Sequence, residues 1–378
     1  MNLKTETDVA SYVSDAYADG RKLRIVGGGT RQSLGNPCES KAVLSTAGLN
    51  GISLYEPGAL TIVAASGTPL ADIETALAAE GQRLPFEPMD HRGLLGSDGT
   101  PTIGGVVACN ISGPARIQAG ACRDSLIGVR FVDGTGTVIK NGGRVMKNVT
   151  GYDLVKLMAG SMGTLGVLTE VAFKVLPAPE TKAVLLMEGL TDATAIQALS
   201  KALSSPYEVS GAAHVQKGLD GDPVTMIRVE GFEKSVSYRI EKLRKLLASF
   251  GESSIEIDPV RTKTGWKWVR DVESFANQTG DVWKISVKPA DGPKVAQKLP
   301  EAECLFDWGG GLIWALTPES TDIRNTLQGI SGFAERVRGN TQDATPARAP
   351  QNAAIAKIER GLRTKFDPKV ILNAGIMG

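Results

Sequence analysis

The feature that most constrains this chain is a glycine-rich stretch at residues 142–177, GGRVMKNVTGYDLVKLMAGSMGTLGVLTEVAFKVLP. It opens with a glycine pair and a basic turn, and it contains a second glycine cluster at Gly160, Gly163 and Gly166. Glycines at this density occur where the backbone takes a positive φ or approaches another group closely. Residues 167–175 are rich in β-branched side chains and predict a strand. The stretch therefore predicts a ligand-binding loop that a strand holds in place.

Two further glycine-rich segments, residues 27–33 and 96–113, indicate an anionic ligand. Consecutive backbone N–H groups in such loops form concave anion sites that suit a pyrophosphate. The first segment is not a Rossmann fingerprint, because Gln32 stands where the third glycine is needed and the following SLGNP cannot open a helix. The sequence contains no Walker loop either. A dinucleotide would therefore be held by several loops rather than by one strand–turn–helix unit.

Composition and charge argue against several functional classes. The chain has 378 residues, enough for two domains, and a formal net charge of +1, which argues against a nucleic-acid-binding surface. Its four cysteines form no C-x-x-C pair and it has two histidines, His91 and His214, so we expect no metal site. No apolar run reaches the length of a membrane span, and the N-terminus lacks an apolar signal core. From these features we expect a soluble cytoplasmic protein.

Hydrophobic periodicity divides the chain into two regions. The first predicts helices, short strands and a hairpin, at residues 5–20, 68–81, 23–26, 42–45, 61–65 and 127–140. The second predicts the order strand–helix–strand–strand–helix–strand from residue 181, with a weaker echo of that order at residues 282–338. We therefore expect an α+β protein with domain boundaries at 1–178 and 179–345, and a C-terminal helix and tail at 346–378 that return to the first domain.

Four segments together resemble the FAD-binding domain of the vanillyl-alcohol oxidase / p-cresol methylhydroxylase (PCMH) superfamily. They are IVGGGTRQS, TIGGVVACNISG, CRDSLIGVRFVDGTG and GYDLVKLMAGSMGTLGVLTEVAFKVLP, in the order of that family. The tail FDPKVILNAG resembles the family's closing segment, with Ala374 where proline is usual. GGRVMKNVTGYDLVKLMAGS is most similar to the FAD-binding E subunits of bacterial glycolate oxidases. The resemblance implies a two-subdomain PCMH-type FAD-binding domain followed by an α/β cap domain of ferredoxin-like βαββαβ order.

The resemblance also implies a set of cofactor-binding residues, carried over position by position. The first loop would contact the pyrophosphate, the second loop would contact FAD, and the others would lie beside the flavin edge or on the adenine and ribose side. These residues are Gly27, Gly28, Gly29, Thr30, Arg31, Gln32, Ser33, Thr102, Ile103, Gly104, Gly105, Asn110, Gly120, Asp124, Gly166 and Val167.

Two departures from the family pattern affect the expected chemistry. Relatives with covalent FAD often carry a histidine in the first loop, where this chain has Thr30, Arg31 and Gln32, so we expect non-covalent FAD. The 2-hydroxyacid dehydrogenases of the family carry a histidine-rich metal motif in the cap domain, and this chain lacks it. The sequence therefore identifies no catalytic residue and no metal ligand.

His91 is the histidine of the first region, in the loop PFEPMDHRGLLGSDG. Its default interpretation is an exposed loop histidine, and a catalytic role is the alternative. Positive charge near the flavin has four candidate sources, of which solvated surface charge is the default interpretation: Arg92, Arg116, Arg123 and Lys147.

Together these features predict the FAD-binding subunit of a glycolate oxidase (glycolate dehydrogenase) complex, which oxidises glycolate to glyoxylate. The chain would relay electrons or act as an accessory flavoprotein, while a related FAD subunit oxidises the substrate and an iron–sulfur subunit receives the electrons. Membrane contact would be indirect, through the complex at the inner face of the cell membrane. The alternatives are a stand-alone FAD-dependent dehydrogenase of a 2-hydroxy acid or sugar lactone, and an assembly module with a vestigial FAD site.

Overall fold

A computed structural model describes residues 3–40, 42–143, 151–218, 220–339 and 345–378. The basic turn that the sequence predicts after Gly143, including Lys147, lies outside these residues. Helices and strands are mixed along the whole chain, as expected for an α+β protein.

The first region combines short helices with small sheets. Its helices are α1 (Glu6–Asp19), α2 (Leu70–Ala79), α3 (Arg92–Leu95), α4 (Ile103–Ala108), α5 (Arg116–Ala119), α6 (Cys122–Ser125) and α7 (Leu154–Met158). Its strands are β1 (Leu23–Val26), β2 (Ala42–Ser45), β3 (Ile52–Glu56), β4 (Thr61–Ala65), β5 (Gln82–Arg83), β6 (Leu126–Val132), β7 (Val138–Gly142), β8 (Val167–Lys174) and β9 (Leu176–Pro177).

Local signals in the sequence define helix α1. The Thr5 hydroxyl accepts a hydrogen bond from the N–H of Asp8, and the Asp8 carboxylate accepts one from the N–H of Thr5, which completes a capping box. Gly20 ends the helix with φ 67°, in the left-handed region that glycine adopts readily. The apolar face of the helix packs in a small core against β1 and the chain's tail.

The described residues of this region form three sheets: a short pair of β5 with β9, and two sheets that position the glycine-rich segments. Strands β1 and β2 pair in parallel, and Leu372 of the tail forms a parallel bridge to Leu23. A five-stranded antiparallel sheet has the order β3-β4-β8-β6-β7. Strand β8, which follows the second glycine cluster, is the central strand and is buried along most of its length. The cluster is therefore fixed to the core of the larger sheet.

The second region contains one eight-stranded sheet with helices. The strands are β10 (Thr181–Glu188), β11 (Gly211–Val215), β12 (Val224–Gly231), β13 (Ser254–Glu256), β14 (Asp281–Val287), β15 (Glu303–Asp307), β16 (Leu312–Thr317) and β17 (Gly332–Arg338). The helices are α8 (Asp192–Leu203), α9 (Glu233–Leu247), α10 (Pro259–Arg270), α11 (Gly292–Lys298) and α12 (Ile323–Thr326).

The eight-stranded sheet consists of two halves with the same element order, βαββαβ. The first half has the strand order β13-β10-β12-β11, and the second has the mirrored order β15-β16-β14-β17. The halves meet where β11 pairs with β15, at His214 opposite Phe306 and Val215 opposite Leu305. The weak echo in the sequence therefore corresponds to two similar units joined edge to edge.

Successive side chains along each strand point to opposite faces of this sheet, and the two faces pack into different hydrophobic cores. Side chains such as Trp283 and Ile313 pack with helices α8, α9 and α11. Their strand neighbours, such as Val282 and Leu312, belong to the core shared with the first region. The sheet thus separates a helical layer from the first region.

Helix α13 (Ala353–Phe366) and the following tail bring the chain back to the first region. Asp367 is fully buried, and its carboxylate accepts hydrogen bonds from two backbone N–H groups of the tail. The Asn373 side chain accepts from the N–H of Ile25 and donates to the carbonyl of Met162. The tail therefore joins β1 to the segment before β8, while the domain boundaries at 178 and 345 stay predictions.

A buried ionic network connects the two regions. Arg228 of β12 lies 2.9 Å from the Glu87 carboxylate, and Arg83 of β5 lies 3.1 Å from the Glu230 carboxylate. The Arg228 guanidinium also lies over the ring of buried Trp266, 4.6 Å from its centroid. These contacts hold the eight-stranded sheet against the first region.

Candidate cofactor site

A cleft in the first region brings the three glycine-rich segments together. Its volume is about 120 Å³, and it is partly open to solvent. Its walls come from the end of β1, the start of α4, the turn before β8 and the tail. The chain therefore forms one site from segments that are distant in the sequence.

Close packing between the loops explains two of the glycines. A Cβ atom on Gly28 would lie 1.5 Å from the carbonyl oxygen of Thr100, and one on Gly104 would lie 2.6 Å from Cβ of Ser66. Only glycine permits this approach, so each position fixes one loop against its neighbour. The loops around the cleft are therefore held by direct backbone packing.

The lining of the cleft fits a negatively charged cofactor. The Ser66 hydroxyl lines the cleft, is buried, and has no hydrogen-bond partner among the described residues. A buried hydroxyl without a partner costs free energy, so a ligand that offers an acceptor is favoured there. Arg31 adds a positive charge to the same lining. The hydroxyl, the guanidinium and the glycine backbone together suit the FAD expected from the sequence.

Arg31 connects the cleft to buried His91. Its Nε donates to Nδ1 of His91 at 3.3 Å, and its Nη2 donates to the carbonyl of Met89 at 3.1 Å. Burial, together with the Arg31 charge, holds the pKa of His91 well below its usual value of 6.5. A neutral ring that accepts at Nδ1 carries its proton at Nε2. In this arrangement Nδ1 of His91 accepts from Arg31, and Nε2 carries the proton that the ring can donate.

A second space, which we call the cap cavity, lies between the first region and the eight-stranded sheet. Its volume is about 60 Å³. It is lined by Leu34, His91, Cys109, Ile111, Gly160, Met162, Lys284, Trp314, Glu335, Val337 and Arg348. Cys109 and Met162 line both spaces, so the cap cavity adjoins the cleft.

Comparison with known proteins assigns the chain to a family. Residues 1–142 match the model of a family described as FAD binding domain. The chain is 35% identical over 367 residues to glycolate oxidase subunit GlcE of Escherichia coli K12, and the match covers 97% of this chain and 95% of that protein. The chain belongs to the GlcE family. For this GlcE-family chain, these matches confirm the predictions of FAD as the cofactor and of an FAD-dependent oxidoreductase subunit.

Other relatives of this GlcE-family chain share only part of it. Glycolate oxidase subunit GlcD of Bacillus subtilis is 35% identical over 150 residues, covering 40% of this chain and 30% of that protein. A D-lactate dehydrogenase of Anaerostipes hadrus is 32% identical over 178 residues, covering 47% of this chain and 34% of that protein. An alkyldihydroxyacetonephosphate synthase has a TM-score of 0.70 at 18% identity, covering 98% of this chain and 76% of that one. This last likeness concerns the fold alone, and it supports the PCMH-type fold.

Most of the predicted cofactor residues of this GlcE-family chain line the cleft. They are Gly27, Gly28, Gly29, Thr30, Arg31, Gln32, Thr102, Gly104, Gly105 and Gly166. The others lie elsewhere: Ser33 is exposed, Ile103 and Val167 are core residues, and Asn110, Gly120 and Asp124 form contacts around the short helices α5 and α6. The roles of these residues toward FAD stay predictions.

The expectation of an exposed His91 is wrong. Its side chain is 4% exposed, because Arg31 and the eight-stranded sheet cover it. Of the arginines proposed to supply charge near the flavin, Arg92 pairs with Asp90, Arg116 lies over Trp308, and Arg123 is near Asp124, all outside the cleft lining. Arg31 is the charged residue of the predicted set that the structure places in the cleft.

Sequence reasoning missed several residues of the cleft. Ser66 follows β4 without any motif around it, and Cys109 lies inside a segment that was predicted for its glycines. Gly163 and Asn373 had a signal, since the first lies in the second glycine cluster and the second in the family-like tail FDPKVILNAG. Position within these two motifs could have identified both.

The described residues offer neither a metal-binding cluster nor a membrane-spanning helix. Within the described ranges, no group of three or more His, Cys, Asp or Glu side chains is arranged to hold a metal ion. In the same ranges, no helix combines the length and the apolar character needed to cross a bilayer. The expected absence of a metal stays a prediction.

Proposed function

We propose that this chain is the FAD-binding subunit of a glycolate oxidase complex and that it holds FAD non-covalently in the glycine-lined cleft. Support comes from the names of its relatives GlcE and GlcD, both glycolate oxidase subunits, and from the match to an FAD-binding family. The loops at Gly27–Gly29 and Gly104–Gly105 would hold the pyrophosphate, with Ser66 as an additional hydrogen-bond donor. FAD supplies the chemistry of accepting two electrons and releasing them singly.

Non-covalent attachment is supported by the side chains in the cleft. Thr30, Arg31 and Gln32 occupy the first loop and provide no histidine for a bond to the flavin. Cys109 also lines the cleft, but burial raises the pKa of its thiol above the ordinary value of 9.0. A protonated thiol is a poor nucleophile. We therefore expect acid precipitation of the protein to leave the flavin in solution.

An accessory role rests on one observation: both histidines of the chain are engaged. Oxidation of a 2-hydroxy acid requires removal of the hydroxyl proton, which a positioned base facilitates. His91 uses its lone pair to accept from Arg31. His214 is buried in β11 and contacts Thr225 Oγ1 at 2.9 Å and Asp192 Oδ1 at 3.2 Å. Neither ring is placed to act as a base beside the cleft.

The proposed division of labour follows from this arrangement. A related FAD subunit of the GlcD type oxidises glycolate to glyoxylate, and the present chain relays electrons or supports that subunit. An iron–sulfur subunit receives the electrons, and contact with the cytoplasmic face of the membrane occurs through the complex.

The deciding experiment is an absorption spectrum of the purified full chain before and after anaerobic addition of glycolate or D-lactate. We expect flavin bands that stay unbleached with either acid and that bleach with glycolate once a GlcD-type subunit is added. Bleaching of the chain alone would overturn the accessory role and favour a stand-alone 2-hydroxyacid dehydrogenase. A colourless protein that takes up no added FAD would overturn FAD binding by this chain.

A further inference from the structure

Lys284 occupies an unusual position in the centre of the cap cavity wall. On strand β14 it lies directly opposite Trp314 of β16 on one side and Glu335 of β17 on the other. Opposed residues on neighbouring strands point to the same face of a sheet. This face carries Val282 and Leu312 and packs toward the first region, so the lysine points toward the first region rather than to the helical layer.

The ammonium group of Lys284 lacks a direct counter-ion. In the described part of the chain it makes no hydrogen bond or ion pair, and its nearest recorded contact is the Trp314 ring, 5.9 Å from the centroid. Glu335 is already paired with Arg348, whose Nε lies 3.3 Å from Oε1. Burial lowers the pKa of Lys284, and the Glu335 charge acts in the opposite direction. Arg348 and Glu335 balance each other, so the Lys284 amine is the group in this trio that has no charged partner.

The other titratable groups facing the cavity offer Lys284 no negative charge. His91 is neutral because burial and Arg31 lower its pKa. The Cys109 thiol stays protonated because burial raises its pKa. Arg348 also contacts the Met162 sulfur at 3.0 Å and lies over the Phe333 ring, so its position is fixed. A buried lysine without a partner tends to lose its proton, and an anionic ligand beside it favours the charged ammonium, so the site favours an anion.

The size and the walls of the cap cavity restrict that anion. One water needs about 10–15 Å³ of comparable cavity volume, and the cavity measures about 60 Å³. An acid of two or three carbons fits this space. Apolar walls stand beside the cation, from Leu34, Ile111, Trp314 and Val337. One carboxylate with a small remainder matches this combination better than a dianion or a phosphate ester.

We propose that the cap cavity binds one small monocarboxylate, with its carboxylate paired to the Lys284 ammonium. His91 lies in the same lining and accepts from Arg31 at Nδ1, so the proton that we assign to its Nε2 would donate to a 2-hydroxy or 2-oxo oxygen. This proposal rests on the proposed function in one respect: it takes FAD to bind in the cleft that adjoins the cap cavity. It adds that this subunit binds the small acid itself, although the oxidation is assigned to its partner.

The test is calorimetric titration of the purified full chain, FAD-loaded and apo, with sodium glycolate, against sodium chloride at equal ionic strength. We expect saturable binding of glycolate in both forms. Lys284→Met should weaken it at least about tenfold, whereas Lys284→Arg should retain most of the affinity because the charge is kept. Lys288→Met, at an exposed position just after β14, is the matched control and should bind like the wild type. FAD content should be equal in all four proteins.

Tryptophan fluorescence provides an independent signal, because Trp314 lies beside Lys284. Glycolate should change the emission of the wild type, and Trp314→Phe should remove that change. Absence of saturable binding in the wild type, or equal binding by wild type and Lys284→Met, would overturn the proposal. A third result would also overturn it: no glycolate binding by the wild type, together with a shifted flavin midpoint potential in Lys284→Met. The lysine would then interact electrostatically with the flavin rather than bind a carboxylate.

Failure of the proposed function gives a different result. A chain that takes up no FAD but binds glycolate in the apo form would contradict the flavin assignment and leave the carboxylate site standing. A chain that binds FAD but no glycolate would contradict only the carboxylate site.

Discussion

At the scale of single residues, burial decides which groups around the two spaces are charged. His91 is neutral, the Cys109 thiol is protonated, and the Arg31 cation is satisfied by a ring nitrogen and a carbonyl rather than by a carboxylate. Asp307, close to the ionic network, is a further case because burial raises its pKa to about 7. Each of these charge states can be measured.

The substitution Asp307→Asn should stabilise the protein at pH 8 and have little effect near pH 4. The folded pKa of about 7 lies above the ordinary value of 3.8, so the folded state holds a proton that the unfolded state has lost between these values. Stability therefore falls as pH rises through this window, and Asn avoids that loss. We expect a gain of up to about 4 kcal/mol at pH 8 in denaturant unfolding, because each unit of the pKa shift corresponds to about 1.4 kcal/mol. Exposed Asp222→Asn is the control, and an equal gain at pH 4 and pH 8 would contradict this account.

Replacing Arg31 with Met should raise the pKa of His91. Burial is the larger cause of its low pKa and persists, but the adjacent positive charge and the hydrogen bond to Nδ1 are both lost. The chain has two histidines, so ring signals in a proton NMR titration can be assigned by comparison with a His214→Gln variant. An unchanged His91 titration would show that Arg31 does not control the ring.

At the scale of elements, the cofactor cleft depends on loops that pack against each other. Gly28 approaches Thr100, and Gly104 approaches Ser66, at distances that no Cβ atom permits. The first contact joins the end of β1 to the loop before α4, and the second joins the first turn of α4 to the segment after β4. The glycines therefore determine the shape of the cleft as well as lining it.

Gly28→Ala should abolish FAD retention, because its Cβ would lie 1.5 Å from the backbone oxygen of Thr100 and one loop would have to move. We expect the FAD content after gel filtration to fall by about tenfold or more. Gly58→Ala is a matched control, since its Cβ would meet no heavy atom within 4 Å. Equal FAD content in the two variants, measured from the flavin absorbance per chain, would refute the role of this contact.

The elements that could be predicted from the sequence are those with local signals. Thr5, Asp8 and Gly20 mark helix α1, and the alternation of apolar residues marks both βαββαβ units. The joining of those units through β11 and β15 could not be predicted, because no local pattern encodes which edges pair. Lys284 was missed for a related reason, since a polar residue in an alternating strand normally indicates a solvated face. The first region covers that face here.

At the scale of the whole molecule, charge pairs hold the eight-stranded sheet to the first region. Glu230 of the sheet contacts Arg83, Lys182 and Arg228, and Arg228 also contacts Glu87. Burial is the largest single influence on the Glu230 carboxyl and raises its pKa. The nearby charges of Arg228, Lys182 and Arg83 together outweigh burial and hold the pKa below its ordinary value of 4.5. The relative placement of the two regions thus depends on an ionised Glu230.

Glu230→Gln should destabilise the chain by about 3–5 kcal/mol at pH 7, because three buried or half-buried cations lose their shared carboxylate. The folded pKa is lower than the unfolded one, so this stabilisation is present above pH 4.5 and is lost as pH falls below it. The difference between wild type and variant in urea unfolding should therefore shrink in acid. Exposed Glu188→Gln at the other end of β10 is the control, and a constant difference from pH 7 to pH 3 would argue against the network.

The tail has a consequence for how the protein is made. Asn373 contacts Ile25 on one side and Met162 on the other, and Leu372 lies alongside β1. These residues leave the ribosome after the entire eight-stranded sheet, so the first region is synthesised early and completed late. A nascent chain has the glycine loops but lacks one wall of their cleft. We therefore expect the protein to bind its flavin only after the tail has been translated and has packed against β1.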